Sequence, residues 1–414
     1  MKLSRGLMRL RAAGNIGGAK SRSEVSPQSE SLDTVSVDHP RLPGAVLQRP
    51  GGPLRLIESY KSAWDCHGDW PLGRMLEPPA EVYACLALNS EFEQVDFAKA
   101  LFLDTETTGL AGGAGTLPFL TGIARFEGEQ FVVEQLLVEN YGLEVPSLEY
   151  LRHRLNQASC VVTFNGKSFD WPLLRARYVM NRLKPPEPPP HYDLLHVARR
   201  VLKRRLPSVR LTTLERQLLH FERVGDVDGA EIPTIYFDFL QTGRVDELVN
   251  VIRHNEWDMY AMPAIMGWLA SKFVSPAEDV HPADLVGFGH VAERYGDHER
   301  ALEIFTAVSE RTGFRASAAE AHLALAAYAH ADTDYAREVS LLENVLVLDD
   351  GCFRERACHR LAITQEHKLK DYGKALIYAR QCAAVEGHHA AQRRCRRIEQ
   401  KLSRKDGFRQ SSGC

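Results

Sequence analysis

The sequence predicts an α/β layer built on a mixed sheet, followed by an all-α region of repeated helices. Three observations lead there. A buried strand pattern at Ala100–Thr105 is followed by two further strand-like runs that read as a hairpin, giving a three-strand meander. Strand-like and helix-like segments then alternate to about residue 270. From about 281 helical periodicity alone remains.

The bulk composition sets the frame. At 414 residues the chain is too long for one ordinary core, so two or three domains are expected. Hydrophobic content of 44% and charged content of 25% are those of a soluble globular protein. A net charge of −3 gives no global pull toward nucleic acid, so any such contact must come from local patches. The eight cysteines contain no C-x-x-C pair, which points to reduced thiols in a cytoplasmic protein. Cys352, Cys358 and His359 lie close together, but their spacing is not that of a zinc site. No apolar run is long enough to span a membrane, and the basic stretch Met1–Arg11 lacks the apolar segment of a secretory signal.

Residues 1–45 are rich in Ser, Gly, Arg and Pro without periodicity and read as a disordered basic tail. Residues 46–98 carry scattered aromatics and Pro-Gly breaks, and read as an irregular extension. The α/β domain follows over 99–275. Leu120–Phe126 and Phe131–Val138 are its hairpin strands. Leu148, Leu151 and Leu155 mark a helix over 146–157, Cys160–Phe164 a short strand, and Asp170–Leu183 a helix closed by a proline run. Helices are expected near 193–205, 211–220 and 233–241, then a long one from about Val245 to Ala270. Over 281–400, Tyr295-Gly296-Asp297 with Ala301 and Phe305 looks like a tetratricopeptide turn and helix. Asp371-Tyr372 with Ala375 repeats it, and Asp334-Tyr335 with Val339 is a weaker middle copy. Residues 401–414 read as a tail.

The chemistry rests on three places. In Leu101-Phe-Leu-Asp104-Thr-Glu106-Thr-Thr-Gly109-Leu110, strand period puts Asp104 and Glu106 on one face. Two carboxylates that close repel unless a cation lies between them, and a hard divalent metal suits oxygen ligands. In Phe164-Asn165-Gly166-Lys167-Ser168-Phe169-Asp170, a strand ends at a turn and Asp170 opens a helix, either as its cap or near the sheet edge where ligands bind. In His254-Asn255-Glu256-Trp257-Asp258, helix period puts His254 and Asp258 on one face. Together Asp104, Glu106, Asp170 and Asp258 can hold two Mg²⁺ or Mn²⁺ ions. His254 is placed to take a proton from an attacking water, and its ordinary pKa near 6.5 suits that task.

The order Asp-x-Glu, Asn…Phe-Asp, His-x-x-x-Asp resembles the DEDD superfamily of 3′→5′ exonucleases, which have an RNase H-like fold. The longer matches over 104–110, 164–170 and 254–258 look like the bacterial YprB-type RNase H-like proteins, some of which carry a helical repeat tail. The resemblance covers about 99–270. It implies metal ligation by Asp104, Glu106, Asp170 and Asp258, and a general base at His254. It also implies a nucleic-acid substrate, DNA or RNA, entered at a single-stranded 3′ end. Thr107, Thr108, Gly109, Leu110, Asn165, Lys167, Trp171 and Asn255 flank the acids and are the expected substrate contacts. One departure concerns the base: in the histidine subgroup it lies five residues before the last Asp, where this chain has Arg253. His254 stands at the tyrosine subgroup's place. A second departure is the insert Ala111–Thr116.

Other features carry two readings. Asp193 is either a fifth acid near the metals or a helix cap. The cations from Arg199 to Arg210 either track phosphates or face solvent. Trp171 either stacks on a base or packs in the core. For the whole chain, the alternatives to an exonuclease are an endonuclease on the same fold and an inactive scaffold. In each case residues 281–400 would serve protein contacts.

Overall fold

A computed structural model describes residues 41–109, 115–187, 189–275, 279–311, 313–349, 351–381 and 387–411. The expectations for the tail up to residue 40, for Leu110 and for insert residues 111–114 concern residues outside these.

The sheet begins earlier than its first expected strand. β1 (Ala45–Arg49) and β2 (Gly52–Ser62) form a hairpin, and β2 pairs antiparallel with a later strand, Arg55 opposite Leu137. Residues 45–62 therefore belong to the sheet rather than to an irregular extension. Arg55 hides the pattern: it sits on the strand but is buried, its Nε 2.7 Å from Glu139. A small ribbon, β3 (Cys66–His67) with β4 (Trp70–Pro71), and helix α1 (Ala80–Ala87) follow.

β5 (Ala100–Thr107), β6 (Pro118–Glu127) and β7 (Gln130–Leu137) form the expected meander. α2 (Glu144–Leu155) leads to β8 (Cys160–Thr163), parallel to β5. α3 (Asp170–Met180) leads to β9 (His191–Asp193), parallel to β8. The seven-stranded sheet runs β1-β2-β7-β6-β5-β8-β9, mixed as expected. α4 (Leu194–Leu202), α5 (Leu211–Leu214), a π turn (Glu215–Leu219) and α6 (Ile232–Thr242) precede the long α7 (Asp246–Val274).

Alternation along β5 assigns its two faces. Leu101 and Leu103 pack with Leu148, Leu151, Trp171 and Leu174 of α2 and α3. Phe102 packs on the opposite side, in the core that holds Met259 and Met262 of α7. The same alternation carries Asp104 and Glu106 to the α7 side and Thr105 to the α3 side. The β5–β6 register shifts between Glu106 and Thr107, a bulge that ends regular pairing beside the acids.

Beyond α7 every described element is helical: α8 (Pro282–Tyr295), α9 (His298–Ser309), α10 (Arg315–Ala331), α11 (Tyr335–Leu348), α12 (Cys352–His367), α13 (Tyr372–Gln381) and a last helix, His388–Ser411. The last helix covers most of the expected tail. Asp297, Asp334 and Asp371 each open a second helix by accepting a backbone N–H three residues on, from Arg300, Arg337 and Lys374. Their interval is 37 residues both times. The middle counterpart of Ala301 and Ala375 is thus Glu338, not Val339. Glu338 is buried because Arg360, His330 and Thr364 bind its carboxylate at 2.8–3.1 Å. Gly289 faces the Phe305 ring so closely that a Cβ would lie 2.6 Å from it.

Candidate functional site

Three backbone segments converge at the C-terminal end of β5. Asp104 accepts a hydrogen bond from Asn255 Nδ2 of α7 at 2.9 Å. Asn255 is fully buried and its Oδ1 accepts from Gln135 Nε2 at 2.9 Å. It therefore orients Asp104 from within the core, which corrects its expected place as a substrate contact. Room for it comes from Gly122, directly opposite Asp104 on β6: a Cβ there would lie 2.2 Å from Asn255 Oδ1.

Thr105, on the other side of the strand, donates to Asp170 Oδ1 at 2.5 Å. The loop before Asp170 is held by Asp193, which accepts from the N–H groups of Asn165 (2.8 Å), Lys167 (3.2 Å) and Leu195 (3.1 Å). Asp193 is thus the cap of α4 and a buttress of this loop. Asn165 turns the chain with φ of 73°. Trp171 is 8% exposed and packs in the α2–α3 core, so the stacking role expected of it is corrected. The exposed aromatic there is Phe169, at 56%. Thr107, Thr108, Gly109 and Asn165 are half-buried around the strand end, and Lys167 is exposed.

On α7, His254 and Asp258 share a face as the helix period requires: Nε2 lies 3.6 Å from Asp258 Oδ2 and 4.0 Å from Glu106 Oε1. Glu106, His254 and Asp258 offer ligand atoms all within 4.8 Å of one another. Arg253 turns elsewhere, donating to Gly225 O and Asn250 and lying over the Trp257 ring. The other nitrogen of His254, Nδ1, is 2.7 Å from Asp226 Oδ1. Asp226 belongs to a turn that also supplies Arg223, and Arg223 binds Asp258 Oδ1 (2.5 Å), Glu215 (2.8 Å) and Asp226 (3.4 Å). Glu215, on the π turn, is buried against His67 Nε2 at 2.7 Å. Sequence reasoning missed Thr105, Arg223, Asp226 and Glu215. Gly225 and Gly229 around Asp226 signal a turn and nothing more.

The electrostatics follow from crowding. Burial raises the Asp104 carboxyl well above the usual range, and the charges of Asp258, Asp170 and Glu106 push it further. Burial also lifts Glu106 to about 8, against the pull of His254. Asp170 is lifted to about 6 by burial, against the hydrogen bond from Thr105. For His254, burial disfavours the charge, but Asp258, Glu106 and Asp226 outweigh it and the net shift is upward.

The basic segment serves a different end. Arg204 pairs with Glu320 of α10 (3.1 Å) and Arg205 with Asp284 of α8 (2.7 Å). Arg200 donates to Leu86 O, and Lys203 to Pro207 O. Four of its six cations thus hold the fold together, which corrects the phosphate-tracking reading for them.

Residues 101–270 match the RNase_H_2 family of the RNase_H superfamily. The chain is also 33% identical over 285 residues to the uncharacterized protein YprB of Bacillus subtilis (strain 168), covering 68% of each chain.

Proposed function

Because the chain belongs to the family of YprB and its residues 101–270 match the RNase_H superfamily, we propose that it is a metal-dependent 3′→5′ exonuclease of the DEDD type. The domain over 99–275 would cut DNA or RNA from a single-stranded 3′ end, and tetratricopeptide-like repeats over 281–400 would serve protein contacts. The observation that carries the reading is the meeting of Asp104, Glu106, Asp170 and Asp258 with His254 Nε2 at one strand end.

The donor set fits Mg²⁺ or Mn²⁺. It is all carboxylate oxygen, burial and mutual repulsion raise Asp104 and Glu106, and cations would relieve that crowding. Asp104, Glu106, Asp170 and Asp258 are the ligands proposed for two ions. When bound, such ions supply an activated water and stabilise charge at the leaving oxygen.

The chain's own residues do the rest. Arg223 occupies Asp258 Oδ1 and leaves Oδ2 facing the site. Asp226 accepts the Nδ1 proton of His254, which fixes the tautomer with a free lone pair on Nε2. Nε2, between Glu106 and Asp258, is the atom that takes the proton of the attacking water. Thr105 and Asn255 hold Asp170 and Asp104 from opposite sides of β5.

The test is degradation of end-labelled single and duplex DNA and RNA with Mg²⁺ or Mn²⁺. The expected result is mononucleotide release from the 3′ end, abolished by Asp104→Ala and Asp258→Asn. His254→Ala should lower turnover about 10²-fold with divalent binding retained, as loss of a general base requires. Cleavage of a closed circular strand would replace the exonuclease by an endonuclease, and no turnover on any substrate would leave a scaffold.

A further inference from the structure

The last helix, His388–Ser411, concentrates charge in a chain that is net negative. It carries eight Lys or Arg against two acids, whereas the whole chain stands at −3. One of those acids, Glu399, is 3.1 Å from Arg380 of α13.

Helix period sorts these cations. Arg393, Arg396, Arg397, Gln400 and Arg404 fall within an arc of about 100° and all are exposed. Ala391, Cys395, Ile398 and Leu402 fall on the opposite side, with Ala391 and Ile398 buried, and Ile398 packs with Ala375 and Ala379 of α13. Arg394, Arg397 and Lys401 converge on the buried Glu366 of α12 and fix the helix rotationally. Arg393, Arg396 and Arg404 have no ionic or hydrogen-bonded partner among the described residues. With Arg397 paired to Glu366, Arg393, Arg396 and Arg404 leave the outward stripe rigid and cationic. From Arg393 to Arg404 it runs about 16 Å, the reach of about five phosphates of one strand of a duplex.

We propose that this face binds the phosphodiester backbone of nucleic acid, at a site separate from the carboxylate centre. The partner chemistry follows from the surface. Guanidinium groups at 393, 396 and 404, stepping about 4.5 and about 12 Å along one helix face, can each meet a phosphate of an extended strand, and counterion release makes such a contact favourable. A helix that lies in a lipid surface inserts its apolar face, and the apolar face of this helix is already spent on α13. The helix lies at the far end of a stack in which α8 packs against α4 and each later hairpin packs on the one before. A strand held at both ends would gain by effective concentration, so long chains profit and short ones do not.

The experiment uses the full chain and the triple substitution Arg393→Gln, Arg396→Gln, Arg404→Gln. Binding of a long single strand and a long duplex is measured by fluorescence anisotropy across a salt series, with divalent ions chelated. This readout needs no turnover and stands whether or not the carboxylate centre is a nuclease. Affinity should fall about tenfold or more, and the salt slope should shrink by about two on the single strand and by nearly three (~2.7) on the duplex, the loss of three phosphate contacts. The triple Arg→Lys variant should retain most of both. Turnover of a dinucleotide, where the wild type shows any, should not change. Equal affinity and slope in the Gln variant and the wild type would overturn the proposal. So would an equal loss of binding to polyglutamate, which would assign the stripe to acidic proteins.

Discussion

At the scale of single residues, the site is set by what each carboxylate leans on. Gly122 is the least conspicuous of these supports. Its missing Cβ admits Asn255, which holds Asp104. Gly122→Ala should therefore lower turnover about tenfold or more while costing about 1–3 kcal/mol of stability, the usual penalty of overpacking. Wild-type turnover in that variant would detach Asp104 from Asn255. A second expectation concerns pH. Glu106 and Asp170 have pKa values raised on folding, to about 8 and about 6. A carboxyl raised in this way favours the folded state at low pH, and that favour is lost as pH rises through the folded value. The chelated protein should thus melt at a lower temperature at pH 8 than at pH 6, by about 2 °C or more. Adding Mg²⁺ or Mn²⁺ should remove the difference, and a melting temperature independent of pH under chelation would refute the crowding of these acids. The acids were legible in the sequence because each pair obeys a period, two for Asp104 and Glu106 and nearly four for His254 and Asp258. Asp226 and Arg223 were not, because they come from an aperiodic turn whose partners lie 28 and 35 residues away.

At the scale of elements, the sequence announced strands that bury apolar side chains and concealed those that bury ion pairs. β5 to β8 read correctly. β2 did not, since Arg55 breaks its apolar run and is satisfied by Glu139 from outside the strand. The middle helical repeat failed for the same reason. Matching apolar positions selects Val339, whereas the 37-residue interval and the buried carboxylate select Glu338. The basic segment at 199–210 was misread by charge alone, because half of the relevant information is the acids at 284 and 320. Glu338 offers the test at this scale. Its side chain ties α11 to α12 through Arg360 and Thr364 and to α10 through His330. Glu338→Ala should cost about 2 kcal/mol, the range for losing hydrogen bonds to a charged group. Chemical denaturation should report that cost, with turnover at the distant carboxylates unchanged. No loss of stability would show that an alanine, as in the flanking repeats at 301 and 375, serves the position equally well.

At the scale of the whole molecule, the α/β layer and the first helices beyond it share one core. Residues from β5, β6, β8, α4 and α7 belong to the same apolar cluster as Leu285, Val286, Phe288 and Val291 of α8 and Ile304 and Phe305 of α9. The contact is backbone-close: a Cβ on Gly287 would lie 2.2 Å from Val201 O of α4. Arg205 and Asp284 add an ion pair across it. The family match ends at residue 270, and the change in sequence character falls at about 281, so both suggest a natural place to cut. The packing argues against that cut. Ending the chain at residue 275 removes none of the hydrogen bonds of the site, yet it strips α4 and α7 of their cover. Each large apolar side chain of α8 that is lost forfeits about 1.5–3 kcal/mol of burial, and several are lost together against a total stability of only about 5–15 kcal/mol. A chain ending at 275 should therefore fail to unfold cooperatively and should lose turnover, although it keeps Asp104, Glu106, Asp170, His254 and Asp258. A chain ending at Ala331 retains α8, α9 and α10, and should melt cooperatively with turnover of mononucleotide-releasing substrates preserved. Calorimetry on the two truncations separates the cases. A cooperative transition at the full-length temperature in the shorter chain would show that the shared core contributes nothing to the α/β layer.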